Sequence, residues 1–234
     1  MVQRALGDVA VDALRRSGLF RRLDEAALAG LAAHMVRRHF RRAEVIFHEG
    51  DPGDALHVVD QGRVKIGRIS PDGEEAIVAS LGPGDVFGEL VLLDGAPRSA
   101  TATALEPTDT LTLGRPAFSV LVDSDAEFRW GLLASIAHHH RRLTDQVAEA
   151  HFLDLAGRLA RQLARLAREA SPDARHEVRL GRLYTQTELA SMIGGTRPRV
   201  NRLIADFVDG ELIRVDPDDI VVIDVDRLLA RADW

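Results

Sequence analysis

Residues 84–105 read GDVFGELVLLDGAPRSATATAL, and this stretch decides the fold class. A Gly-Pro-Gly-Asp turn leads through Phe87 into a short apolar segment at 90–93, which predicts a short helix. Asp94-Gly95 predicts a second turn, and the residues from 101 onward predict a strand. The turns and the strand leave room for only a short helix between them. This part of the chain is therefore predicted to belong to a β domain with many loops.

The pattern of short strands separated by turns extends on both sides of this stretch, over about residues 43–113. Short runs rich in Val, Ile and Thr alternate there with turns built from Gly, Pro and Asp. The predicted strands are 43–47, 56–59, 64–69, 76–81, 101–105 and 110–113. Strands spaced by about a dozen residues predict a sandwich, a jelly roll or a roll.

Helical periodicity flanks the β segment on both sides. Residues 1–40 carry apolar residues at steps of three to five, which predicts helices. After Pro116 a long helix is predicted, and part of it shows the alternating four- and three-residue spacing of a coiled-coil seam, which favours a dimer. The seam positions are Leu132, Ile136, His139, Leu143, Gln146, Ala150 and Leu153. The alternative is an ordinary helix packed on its own domain.

Asp154 is suited to cap a new helix after this long one, and Gly157 loosens the join. We therefore predict three segments: 1–124, the N-terminal helices with the β domain; 125–153, the long helix; and 154–234, a C-terminal domain.

Composition narrows the class of protein. The chain has 234 residues, 46% hydrophobic and 28% charged, with no cysteine and a net charge of −6. The missing cysteines exclude disulfides and thiolate metal sites. No apolar run is long enough to cross a bilayer and no signal peptide is recognisable, so the expected location is the cytoplasm. A nucleic-acid surface on an acidic chain has to be local.

Such a local surface is predicted at 185–207. Thr185 and Glu188 form a capping box, Gly194-Gly195 supply a turn, and Thr196 is expected to cap a second helix with Pro198 in its first turn. The second helix has an apolar stripe and carries polar residues on its other faces: Arg197, Arg199, Asn201 and Arg202. Arg reads guanine and Asn reads adenine in the major groove. The alternative for each arginine is a solvated helix face.

Residues 211–223 predict a β-hairpin behind this motif, which makes it a winged helix-turn-helix. Its tip carries three aspartates, Asp216, Asp218 and Asp219, which phosphates would repel. The wing is therefore not expected to clamp DNA.

The opening stretch has the chemistry of a phosphate cradle. Gly88 permits close backbone approach, the helix start presents N–H groups, and Arg98 with Ser99 can hold phosphate oxygens. Glu89 suits sugar hydroxyls, so a ligand with phosphate and ribose explains both charges. The alternative is a partly buried salt bridge between Glu89 and Arg98, and the spacing does not decide between the two.

From about Leu19 onward the chain resembles the cyclic-AMP receptor protein branch of the Crp/Fnr superfamily. The resemblance rests on Phe87-Gly88-Glu89-Leu90 with Arg98-Ser99-Ala100, on residues 152–158 as a hinge, and on 185–202. It implies an α+β chain with a cyclic-nucleotide-binding β-roll (a double-stranded jelly roll), a long dimerisation helix and a C-terminal winged helix-turn-helix.

The resemblance also implies roles for individual residues. Glu89 would hold the ribose 2′-hydroxyl, and Arg98 with Ser99 the cyclic phosphate. The implied nucleotide-binding set is Gly88, Glu89, Leu90, Arg98, Ser99, Ala100, Leu143 and Thr144. Leu143 and Thr144 stand where two polar residues contact adenine, and Leu143 cannot hydrogen-bond.

The implied DNA-binding set is Thr185, Gln186, Thr196, Arg197, Arg199, Asn201 and Arg202. Arg197 and Arg202 match base-contacting arginines of the family. Pro198 replaces a glutamate that reads cytosine, so an operator different from the usual half-site is expected.

The function that follows is a homodimeric transcription regulator, not an enzyme, without a cofactor and with cyclic AMP as its allosteric ligand. Its expected partners are a palindromic DNA operator and RNA polymerase, and no membrane. A regulator that is ligand-independent or answers another effector is the alternative that Leu143 motivates. A cupin-like metalloenzyme around His57 lacks its second histidine ligand, and no histidine is placed for a haem sensor.

Overall fold

The structure is a computed structural model that describes residues 2–171, 173–181, 184–217 and 219–232, with side chains from Val9 onward. The chain divides into two compact units. The first comprises Met1–Arg68 with Val78–Arg141, and the second comprises Ile69–Ile77 with Arg142–Trp234. Within the described part of the chain, none of the helices has the length and apolar character needed to span a bilayer.

The first part of the chain is a β-roll preceded and followed by helices. In chain order its elements are α1 (Val2–Arg16), α2 (Glu25–Ala32), β1 (Val36–Phe40), β2 (Val45–Phe47), β3 (Ala55–Gln61), β4 (Val64–Ile69), β5 (Glu75–Leu81), β6 (Val86–Phe87), α3 (Leu90–Asp94), β7 (Thr101–Ala104), β8 (Thr108–Gly114) and α4 (Arg115–Ser124). The strands form two four-stranded sheets, ordered β1-β8-β3-β6 and β2-β7-β4-β5. The predicted roll is therefore confirmed.

Two apolar clusters fill this part. One joins α1, α2, α4 and the β3/β8 strands, and Phe20 stacks on Phe128 within it at a centroid distance of 5.5 Å. The other comprises Val59, Val64, Leu81, Phe87 and Ala102, with Phe47 packed against it. This second cluster places Phe47 against Phe87, which belongs to the stretch that carries the predicted phosphate cradle.

β1 corrects the expectation of helix across residues 1–40. The helical spacing is right for α1 and α2, but Val36–Phe40 pairs antiparallel with β8. Arg37 on this strand donates to the buried carboxylate of Asp60 and to Asp109, at 3.0 Å each. The backbone hydrogen bonds to β8 and these ion pairs stabilise a strand here. They outweigh the helical spacing of apolar residues, which extends as far as Met35.

The remaining elements are α5 (Ala126–Phe152), α6 (Leu155–Ala170), β9 (His176–Arg179), α7 (Gln186–Ile193), α8 (Arg197–Asp209), β10 (Ile213–Asp216), β11 (Asp219–Asp224) and α9 (Val225–Ala230). Asp154 caps α6 as predicted, accepting the N–H of Gly157 at 2.7 Å. A three-stranded sheet, ordered β10-β11-β9, lies in the second unit. The apolar faces of α6, α7 and α8 meet in one core that contains Leu159, Leu189 and Ile204.

α5 contributes to both units, and it qualifies the predicted seam. Leu132 is buried in the core of the first unit and Ile136 packs against it, while Leu153 is buried in the core of the second. At these three positions the side chains pack on their own chain, as the alternative interpretation expects. Large apolar side chains nevertheless remain exposed on α5: Trp130, Leu133, Leu143, Val147 and Phe152.

Candidate functional site

The cradle stretch has the predicted local structure. β6 ends at Phe87, Gly88 turns the chain with φ of 75°, and α3 begins at Leu90. Gly95 ends α3 in the left-handed conformation, with φ of 70°. Beyond it, Arg98 makes two backbone hydrogen bonds to the loop between β2 and β3: its carbonyl accepts from Gly50 N, and its N–H donates to the carbonyl of Asp51. These bonds hold the residues before β7 against that loop.

Arg98 is the centre of this site, and its side chain is only 8% exposed. Nη1 donates to the carbonyl of Gly88 at 2.7 Å, and Nη2 donates to the carbonyl of Ala55 at 2.8 Å. Nε is buried and has no hydrogen-bond partner among the described residues. The guanidinium carbon lies 4.1 Å from the centroid of the Phe47 ring.

The charge of Arg98 has no neutralising ion pair within the described structure. The alternative of a direct salt bridge with Glu89 is therefore not what the structure contains, although Glu89 is close enough to act on it through space. Burial lowers the pKa of the Arg98 guanidinium, and the carboxylates of Asp54, Glu89 and Asp51 oppose that shift. A buried cation whose neighbours are carbonyls and distant carboxylates is suited to receive an anion.

Glu89 is itself 9% exposed, and burial raises the pKa of its carboxyl group. Nδ1 of His139 on α5 lies 3.9 Å from Oε1 of Glu89. The sequence predicts only a seam position for His139, because nothing in a linear sequence relates a position on α5 to one before α3. The contact puts a histidine next to the carboxylate predicted to bind ribose.

The other predicted cradle residues differ in accessibility. Ser99 is exposed, Leu90 is exposed at the start of α3, and Ala100 is buried. Leu143 and Thr144 belong to the second unit, where both are exposed. Their role as base contacts stays a prediction.

Residues that the sequence did not assign to the cradle surround Arg98. Phe47 comes from β2, Gly53 from the loop between β2 and β3, and His57 from β3. His57 stacks on Phe87 at 5.0 Å, and burial, followed by the charges of Arg98 and Arg38, lowers its pKa to about 4. The signal that could have marked them is the Gly-Asp-Pro-Gly-Asp turn at 50–54, which precedes a strand running beside the cradle.

The helix-turn-helix is formed as predicted. Thr185 and Glu188 make both bonds of the capping box at the start of α7, and Gly194 ends α7 in the left-handed conformation. Val200, Ile204 and Phe207 are buried along α8. Between the helices, Nε2 of Gln186 donates to Oδ1 of Asn201 at 3.0 Å, so these two predicted DNA contacts are held together.

Thr196 corrects one detail. It occupies the N-cap of α8, but its side chain accepts no backbone N–H there. A cap side chain bonds to the second or third residue of the helix; the second is Pro198, which has no N–H, and the N–H of the third, Arg199, does not bond to the Thr196 side chain. The exposed Thr196 hydroxyl therefore takes no part in holding the helix.

Arg197, Arg199 and Arg202 are all exposed on α8. None of the three guanidinium groups makes a hydrogen bond or an ion pair with any residue in the described ranges. Asn201 is exposed on the same helix. Three uncommitted guanidinium groups near the start of one helix form a local basic surface on an acidic chain.

The wing uses its aspartates internally. Arg179 of β9 donates to Asp216 at 3.1 Å and to Asp219 at 3.3 Å, and Arg214 contacts Asp216. Asp218, the third predicted tip aspartate, lies outside the described residues. The arginines nearest the tip are thus paired with acids rather than presented to solvent alone.

Comparisons with known proteins match both the β-roll and the helix-turn-helix to known families. Residues 37–125 match the family described as cyclic nucleotide-binding domain, and residues 157–231 match the family described as Crp-like helix-turn-helix domain. The CRP-like cAMP-activated global transcriptional regulator of Mycobacterium tuberculosis is 34% identical over 94% of this chain and 98% of its own length. The cyclic AMP receptor protein of Thermus thermophilus is 31% identical over 87% of this chain and 91% of its own length.

Among solved structures, FixK2 from Bradyrhizobium japonicum shares the fold with a TM-score of 0.77 at 21% identity, over 86% of this chain and 98% of that one. The fold and the two sites define a transcription regulator with a cyclic nucleotide-binding domain and a helix-turn-helix, which is not an enzyme. The chain belongs to the Crp/Fnr family.

Proposed function

We propose that this chain is a homodimeric transcription regulator controlled by cyclic AMP, and that it acts in the cytoplasm on a palindromic operator. The observation that carries the ligand is Arg98, a buried cation without an ion-pair partner in the described structure. A cyclic phosphate would supply the missing negative charge, and Glu89 would accept from the ribose 2′-hydroxyl. The names of the Mycobacterium and Thermus relatives, which specify cyclic AMP, support the choice of nucleotide.

The proposed division of labour follows the predicted segments. Residues 1–124 would bind the nucleotide through Gly88, Glu89, Leu90 and Arg98-Ser99-Ala100, residues 125–153 would join two copies, and residues 154–234 would bind DNA. Leu143 and Thr144 would lie against adenine. Nucleotide binding would shift the population toward a dimer whose two α8 helices enter successive major grooves, about 34 Å apart. RNA polymerase would be the protein partner.

On α8 the proposed contacts divide into two kinds. Arg197 and Arg202 would read base edges, and Arg199 would add a base or phosphate contact. Asn201, braced by Gln186, would present its amide to a base, and Thr185 and Thr196 lie at helix starts where phosphates are bound.

Calorimetric titration of cyclic AMP into wild-type protein and R98L tests the ligand. A charged hydrogen bond contributes about 1.5–3 kcal/mol, so R98L is expected to weaken binding by about tenfold or more. R42L removes an exposed arginine of the same unit and is the matched control, expected to bind as wild type. Equal heats for wild type and R98L would refute the site.

Leu143 favours a second candidate function, that of a regulator that needs no nucleotide or responds to another effector. Its side chain is 52% exposed and offers no hydrogen bond to adenine. Operator binding by nucleotide-free protein, unchanged when cyclic AMP is added, would favour this candidate.

A further inference from the structure

Arg98 is enclosed by two glycines. A Cβ on Gly53 would lie 2.6 Å from Nε of Arg98, and a Cβ on Gly88 would lie 2.3 Å from Nη1. Both distances are too short for any real contact, so the guanidinium occupies space that only glycine leaves open. The backbone thereby confines the guanidinium on the sides that face these two residues.

Phe47 supplies a further surface of this enclosure. Its ring centroid lies 4.1 Å from the guanidinium carbon, well inside the range of a cation–π contact. Such a contact gains strength when the cation is desolvated, and Arg98 is nine-tenths buried. Among the described residues, the electron-rich face of the ring is therefore the one attractive partner of Arg98 that is neither a carbonyl nor a distant carboxylate.

The ring is itself held in place by two others. Phe47 lies 5.9 Å from Phe87 and 6.0 Å from His57, and those two stack on each other at 5.0 Å. His57 stays neutral at physiological pH because its pKa is lowered to about 4, so it does not compete with Arg98 for the ring face. An aromatic trio anchored on three strands makes Phe47 a rigid platform.

We propose that Phe47 is a positioning residue, whose ring holds the Arg98 guanidinium in the orientation that receives the phosphate of the ligand. This inference rests on the proposed nucleotide binding at the same site. It adds to the cradle motif at 87–100 a residue from outside that motif: Phe47 belongs to β2 and precedes Arg98 by 51 positions. Without the ring, Arg98 keeps its charge but loses its fixed direction.

Phe47 substitutions separate the ring face from simple packing. F47L removes the aromatic ring and keeps a large apolar side chain, whereas F47Y keeps the ring face at this half-buried position. F40L makes the same change at a half-buried phenylalanine of β1, which has no cation over its ring among the described residues. G53A displaces the guanidinium from the other side, at a glycine whose φ suits alanine.

The measurements are calorimetric titration with cyclic AMP and the NMR signal of the Arg98 Nε–Hε group, with melting temperatures to confirm folding. F47L and G53A are expected to weaken cyclic AMP binding by about tenfold and to shift or broaden the Arg98 signal. F47Y and F40L are expected to keep both the affinity and the signal of wild type.

Two different failures are distinguishable. Wild-type cyclic AMP affinity in F47L, or F47Y behaving as F47L, would overturn the positioning role while wild-type binding stands. Wild-type protein that binds no cyclic AMP would overturn the proposed function and, with it, the use of Phe47 for the phosphate.

Discussion

His57 shows how one buried residue can make the stability of the roll depend on pH. Its Nδ1 lies 3.2 Å from Oγ1 of Thr110 and its ring stacks on Phe87. Burial is the largest cause of its lowered pKa, followed by the positive charges of Arg98 and Arg38. The environment therefore resists protonation of this histidine in the folded protein.

The sign of the pH effect follows from that shift. Above pH 6.5 the imidazole is neutral in both the folded and the unfolded chain, whereas between 6.5 and about 4 the unfolded chain takes up the proton first. His57 thus lowers the free energy of unfolding as the pH falls through this window, by on the order of 3 kcal/mol. Urea unfolding at pH 7 and pH 4.5 is expected to show a smaller difference in H57Q than in wild type. H48Q, at an exposed histidine, is the control, and a wild-type difference in H57Q would contradict the prediction.

A threonine occupies the N-cap of both helices of the DNA-binding motif, but only one of the two threonines caps its helix with its side chain. Thr185 accepts the N–H of Glu188 at 3.2 Å, whereas Thr196 accepts none. Loss of a true N-cap costs about 1 kcal/mol. T185A is therefore expected to lower the free energy of unfolding by about that amount and T196A to leave it nearly unchanged, as measured by urea unfolding. Equal losses would mean that the Thr196 hydroxyl caps α8 after all.

The elements that the sequence predicted are those with a strong local signal. The capping box and the paired glycines fix α7 and the start of α8, and the turns between 43 and 113 mark most strands. β1 was misassigned because its partner β8 lies about 70 residues away, and β6 is too short for any periodicity. A strand whose identity depends on distant pairing leaves little trace in its own residues.

The same distinction applies to the site. Arg98, Glu89 and Gly88 are predicted because they lie in one short stretch of sequence on either side of α3, whose turns bring them together. Phe47 and Gly53 were not assigned to the cradle, because only sheet pairing and the loop at 50–51 bring them against the guanidinium. The local sequence therefore predicted the charges of the site but not the residues that orient them.

At the scale of the whole molecule, the exposed apolar residues of α5 need a partner to bury them. Trp130 and Leu133 are exposed in the first unit, and Leu143, Val147 and Phe152 are exposed in the second. Several large apolar side chains open to solvent on one helix are costly for a monomer and typical of an association surface. They support the proposed dimer through α5, in which Leu133 and Val147 would add to Leu143 of the predicted seam.

Val147 is the sharpest test of that surface, because its side chain is 70% exposed and no other part of the described chain requires it to be apolar. Burying a valine contributes about 1.5–3 kcal/mol, and an aspartate buried without a partner would add a larger penalty. V147D is therefore expected to raise the dimer dissociation constant by about a hundredfold or more, as measured by sedimentation equilibrium. A134D places the same charge on another exposed face of α5 and is expected to leave the dimer intact. In the proposed dimer two α8 helices would hold a palindromic operator at once, so V147D is also expected to lose most of its operator affinity while retaining cyclic AMP binding. A V147D protein that remains dimeric would show that α5 does not join the two copies through this face.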